Sequence, residues 1–171
     1  MDKKSVNKAI RNAIKLGDAH EVKQLIGNEK EILNIMTSFG TWLHVAAKKG
    51  PLEIVKYLIE KGIDIDARGG IFDASALNVA AGAGQLEIVK YLIEVGAELD
   101  VSLAKRNPLF GAIYGGHKEV AEFLVERKGY LLFNHLDLTN SFSSNKLHKL
   151  FLVSSKHTNQ KSFCHFEQSS S

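Results

Sequence analysis

The residues of this 171-residue chain best suited to metal or nucleophilic chemistry are one cysteine and seven histidines. Cys164 and four of the histidines, His135, His148, His157 and His165, fall after residue 128. Zinc sites are built from cysteine and histidine pairs at short, regular spacing, and Cys164-His165 has no second such pair within reach. Gly82-Ala83-Gly84 and Gly111, Gly115 and Gly116 are glycine-rich, but a phosphate cradle needs those glycines to follow a strand at fixed spacing. Here they follow helical patterns, which makes them inter-helix turns and points of close helix packing. The carboxylate pairs Asp64/Asp66 and Glu98/Asp100 offer general acid and base, yet both stand in turn-like segments where solvated carboxylates are expected. Tyr57, Tyr91 and Phe123 recur at a constant helical position, as packing residues do and a base-stacking platform need not. The expectation is a chain without catalytic residues, cofactor or metal, and not an enzyme.

The elements that hold these residues follow from composition and periodicity. A hydrophobic fraction of 44%, a charged fraction of 24% and a mean hydropathy of −0.09 describe a chain able to bury a core. Its length suits one domain, or one compact unit with a tail. The longest stretch free of Lys, Arg, Asp and Glu, 32–47, is too short for a membrane span. The opening Met1-Asp2-Lys3-Lys4 leads into a polar segment rather than an export signal. With a single cysteine, a reducing cytoplasm is the expected setting. The net charge is +3, but residues 1–127 are neutral overall and the excess lies beyond them, so the bulk of the chain is not a basic, nucleic-acid-binding domain.

The strongest signal is a repeat. Gly50-Pro51-Leu52-Glu53-Ile54-Val55-Lys56-Tyr57-Leu58-Ile59-Glu60 returns 34 residues later, from Gly84 to Glu94, with one change. A third copy runs from Gly116 to Glu126, and a weaker one from Gly17 to Ile26. Each of the four copies holds two short helical patterns. In the second, Leu43, Ala46 and Ala47 form one apolar stripe, and Ile54, Val55, Leu58 and Ile59 form the next. Gly50 suits the turn between them, Pro51 the start of the second helix and Gly62 its end. Ser75 and Asn107 suit helix N-caps, and Pro108 a first helical position. Such helices are too short to persist alone, so stability must come from stacking.

Gly40-Thr41-Trp42-Leu43-His44-Val45-Ala46-Ala47, followed by Glu53-Ile54-Val55, Leu58-Ile59 and Gly62-Ile63-Asp64-Ile65-Asp66-Ala67, resembles the ankyrin repeats over roughly residues 4–127. Trp42 stands where that family has proline, and Ser75-Ala76-Leu77-Asn78 and Asn107-Pro108-Leu109-Phe110 replace its T-P-L-H signature. The resemblance implies an all-α solenoid of helix-turn-helix units with short β-hairpins or loops, divided at about 4–36, 37–69, 70–103 and a truncated 104–127. It makes His44 a structural residue bonding within and between hairpins, and the first copy, with Lys8, Arg11 and Lys15 on its first helix, a polar cap.

The pattern stops at Lys128, where the periodicity calls for glycine; Gly129 arrives one position late. Beyond it lie nine of the thirteen serines and one of the fourteen glycines. Residues 128–171 read as a non-ankyrin tail, disordered or partly helical around 145–153. It is either an evolved extension or unselected translation after a shift of frame, and the break in mid-motif favours the second.

By the same resemblance, the function is non-enzymatic binding of another protein through hairpin tips and the concave first-helix face. Nucleic acid and membrane are not expected partners. The candidate residues are Phe39, Arg68, Ile71, Phe72, Lys105 and Arg106 at the tips, with Val45, Lys48, Lys49, Val79 and Tyr114 on the first helices. The alternatives are a small bacterial ankyrin protein that neutralises a toxin, and the targeting subunit of an enzyme complex. With no fifth repeat to cover it, the fourth copy's second helix leaves apolar surface open at the C-terminal end. An unselected tail then predicts weaker hydrogen-exchange protection in 109–125 than in 43–60, and self-association through that end. Equal protection in a monomeric sample would show instead that the tail is a working cap.

Overall fold

The computed structural model describes residues 3–70 and 73–128. Its helices are α1 (Lys3–Leu16), α2 (Ala19–Ile26), α3 (Lys30–Leu33), α4 (Trp42–Lys49), α5 (Leu52–Glu60), α6 (Ala76–Gly82), α7 (Leu86–Glu94), α8 (Pro108–Gly115) and α9 (Lys118–Lys128). A 3₁₀ turn at Ala104–Arg106 precedes α8. Among the described residues there is no strand, only the isolated bridges Thr37–Gly40 and Gly69–Ala74, each closing a loop. The chain divides into two units, Met1–Ala121 and Glu122–Ser171; α1 to α8 belong to the first. The stretch 145–153, expected from sequence to be partly helical, the tail histidines and Cys164 lie outside the described residues, as do Ile71 and Phe72.

Two rows of helices form because the apolar stripes repeat in register. Leu43, Ala46 and Ala47 of α4 are buried, and so are Leu77, Ala80 and Ala81 of α6 and Leu109, Ala112 and Ile113 of α8. These stripes pack α1 on α4, α4 on α6 and α6 on α8, an inner row. Ile54, Val55 and Leu58 of α5 and Ile88, Val89 and Leu92 of α7 are buried likewise. They join α2, α5 and α7 into an outer row. This is the all-α stack expected from the repeat.

The caps follow from the residues named above. Ser75 Oγ accepts from the Asn78 N–H at 3.4 Å, and Asn107 Oδ1 from the Leu109 N–H at 2.9 Å. Pro108 is the first residue of α8. Pro51 stands at the cap position just before α5 rather than within it. Gly62 and Gly96 end the outer helices at φ +86° and +95°, a left-handed conformation that costs glycine nothing. Trp42, in the family's proline position, is fully buried and donates its Nε1–H to the Ile32 carbonyl at 2.7 Å. It thereby ties α4 to the short α3, an element the periodicity does not announce. No helix of the described residues is long and apolar enough to cross a membrane.

α6 and α8 approach closely. A methyl group added at Gly115 would stand 2.6 Å from His117 Cδ2 and 2.7 Å from the Gly82 carbonyl oxygen, whereas one at Gly111 would meet Asn78 and Gly82 backbone atoms at 3.4 Å, the near edge of ordinary contact. Both substitutions gain the same small helix-propensity term. We therefore expect Gly115→Ala to lose about 1–3 kcal/mol through overpacking, and Gly111→Ala to match or exceed the parent. Urea midpoints of the two variants check this; equal midpoints would contradict the packing described.

Candidate functional site

The loops and inner helices meet at His44, and what holds them there is polar. His44 is buried at the third position of α4. Its Nδ1 accepts from the Thr41 N–H at 3.2 Å and lies 2.9 Å from the Thr41 hydroxyl. Its Nε2 is 2.8 Å from the Ala74 carbonyl, an acceptor only, so Nε2 carries the proton. One neutral imidazole thus joins the start of α4 to the loop of the next repeat. Gly40, at φ +93°, lies against the ring, where any side chain would collide with it.

Further links run between successive loops. The Glu98 N–H donates to Asp66 Oδ1 at 2.8 Å, and the Arg68 guanidinium pairs with Asp100 at 2.7 Å. Arg106 pairs with Asp73, the one described non-glycine residue with positive φ, at +49°. Burial alone would push the Asp100 carboxyl up. The Ser102 hydroxyl and amide, with the Arg68 and Arg106 cations, outweigh it and hold that carboxyl below the ordinary carboxylate range. Asp64 caps its own turn by accepting from the Asp66 N–H at 3.0 Å. The Asp64, Asp66, Asp73 and Asp100 carboxylates build turns and loop contacts.

The candidate partner-binding residues are placed unequally. Val45 is buried, not exposed. It is a packing residue of α4 rather than a surface one. Val79, at the same register in α6, is half-buried. Arg68 and Arg106 already serve loop-to-loop ion pairs, while Lys48, Lys49 and Lys105 are exposed. Phe39 is 54% exposed, with the Arg11 guanidinium 4.7 Å above its ring. Tyr114 is 78% exposed and stacks on Phe110, centroids 6.2 Å apart and planes within 11°. Sequence reasoning missed the exposed Leu16, Met36, Val95 and Leu103; no residue type recurs at their positions from copy to copy, so they carried no signal.

Among the described residues, no group of three or more His, Cys, Asp or Glu side chains converges as metal ligands would. Tyr57 and Tyr91 belong to the outer row, with Lys23 and Lys61 over the first ring and Lys56 over the second.

A family model of ankyrin repeats in many copies matches residues 43–93 and again 79–125. No curated protein matches the chain.

Burial lowers the pKa of His44, against the raising effect of its bond to Ala74. Its only free lone pair already accepts from Thr41. The unfolded chain takes up a proton near pH 6.5 and the folded chain does so only at lower pH, so stability is full above that value and declines as the pH falls through it. We expect the NMR titration midpoint of His44 to lie below 6.5, and the fall in melting temperature between about pH 7 and 5 to be smaller in His44→Asn, which starts from lower stability. A midpoint at or above 6.5 would contradict the hydrogen-bond assignment.

Proposed function

Because the chain belongs, over residues 43–125, to the ankyrin-repeat family, whose repeats are in general protein-interaction modules, we propose that it binds another protein without catalysing a reaction. The contact surface in this reading is made of the inner-helix face and the loop tips. Tyr114 carries it: a large aromatic side chain that the stack leaves 78% exposed, yet braces against Phe110. Tyrosine offers much contact area with few torsions to freeze, which is why it anchors protein interfaces so often. Phe39, held under Arg11, is a second anchor of the same kind at a loop tip. Lys48, Lys49, Lys105 and the half-exposed Val79 complete the surface, and Ile71 and Phe72 remain candidates from sequence alone. The single cysteine supports a cytoplasmic setting.

In a pull-down from the native host, the chain should retain a specific partner that Tyr114→Ala and Phe39→Ala together lose, with folding unchanged by circular dichroism. Each substitution should cost about 1–2 kcal/mol of binding. Reproducible substrate turnover abolished by one point mutation would overturn the reading.

A further inference from the structure

Charge is segregated between the two rows of helices. The inner helices carry five basic residues on α1 and two on α4, no charged residue on α6 or α8, and no Asp or Glu on any of the four. The outer helices mix both signs. Lys23–Glu53 and Lys90–Glu87 are ion pairs of the outer row, and Arg68–Asp100 and Arg106–Asp73 are ion pairs of the loops. The inner-row lysines have no ion-pair partner among the described residues.

The repeat register turns that asymmetry into a line. Thr41, Ser75 and Asn107 cap α4, α6 and α8, so Lys48, Gly82 and Tyr114 occupy equivalent positions, and Lys15 of α1 joins them by the match of Gly17 to Gly50. All four are exposed. Across the inner row they therefore read cation, cation, no side chain, aromatic ring. Packed helices lie about 8–10 Å apart, and an extended chain advances about 3.3 Å per residue. One residue in three of an extended segment crossing the row would meet successive helices.

Resting on the protein-binding reading above, we propose that this row docks an extended acidic segment of a partner protein. Its carboxylates lie on Lys15 and Lys48, and a bulky apolar side chain fills the gap at Gly82 against the ring of Tyr114. An acidic segment removes the repulsion among the unpaired lysines, and the uncharged half over α6 and α8 demands an apolar anchor rather than continued charge. A nucleic acid fits less well. Its phosphates repeat every few ångströms, and the row offers no cation beyond Lys48.

The test is selection of random peptides on the immobilised full chain at low salt, followed by anisotropy titration of a selected peptide and of a single-stranded RNA oligonucleotide. Selected peptides should be enriched in Asp and Glu with an apolar residue several positions away. Lys15→Glu with Lys48→Glu should weaken them about tenfold or more and flatten the salt dependence. Tyr114→Ala should weaken them with the salt dependence kept, and Lys30→Glu, an exposed lysine outside the inner row, should leave them within about twofold. Peptides without acidic enrichment that are lost on Phe39→Ala or Lys105→Ala would overturn this proposal and leave the protein-binding reading standing. Binding of the RNA alone, abolished by the double reversal, would overturn both. Failure to select any peptide would overturn the proposal as well.

Discussion

Close lateral approach of short helices is the constraint on which everything else depends. Helices of seven to nine residues, such as α4 to α7, are below the length of about 12–15 residues at which an isolated helix begins to persist in water. Each exists because a neighbour covers its apolar stripe. The repeated Leu-x-x-Ala pattern of the inner row keeps the contact side small, and at Gly111 and Gly115 of α8 the side chain disappears so that the helix meets the α6 backbone directly. Sequence choice is narrow wherever a residue faces the next helix. It is wide at the positions that face outward, and there the four copies differ most: Lys15, Lys48, Gly82 and Tyr114 share one register and no chemistry.

The loops, which have almost no regular structure, are positioned by polar links from one repeat to the next. His44 reaches Ala74, Asp66 reaches Glu98, and Arg68 and Arg106 reach carboxylates one repeat away. Each surface pair contributes little, about 0–1 kcal/mol. The buried imidazole is different, since both its nitrogens are satisfied within the fold and replacing it leaves buried groups unpaired. These links also sort the candidate surface. Arg68 and Arg106 would have to leave intramolecular partners to meet a ligand, whereas Lys48 and Lys105 have no ion pair to give up among the described residues, and Tyr114 can meet a ligand while stacked on Phe110.

What was legible in the sequence is what repeats. The helix pairs, the caps at Ser75 and Asn107, the structural role of His44 and the packing role of Tyr57 and Tyr91 all follow from position within a copy. What was not legible depends on neighbours rather than on position. Val45 and Val79 share a register, yet one is buried and the other half-exposed, because burial at that site is set by the side chains on either flank, and these are not repeated. The same reason hides α3, which exists only once and is tied down by the indole of Trp42, and the partners of Arg68 and Arg106, which lie about one repeat away in sequence and have no spacing signal of their own.

One residue type does two jobs according to the row it occupies. In the outer row, lysine is absorbed into the fold: Lys56 lies 5.3 Å from the ring centroid of Tyr91, and Lys23 sits between Glu53 and the ring of Tyr57. In the inner row, Lys15 and Lys48 touch no carboxylate of the described residues. Exposed, unpaired lysines add nothing to stability, and their mutual repulsion slightly opposes folding. A fold assembled from near-identical copies had an outer-row solution for lysine available at every repeat, and the inner row does not use it. The lysines there stay solvated and open to whatever approaches the surface from outside, as a polar terminal face also requires.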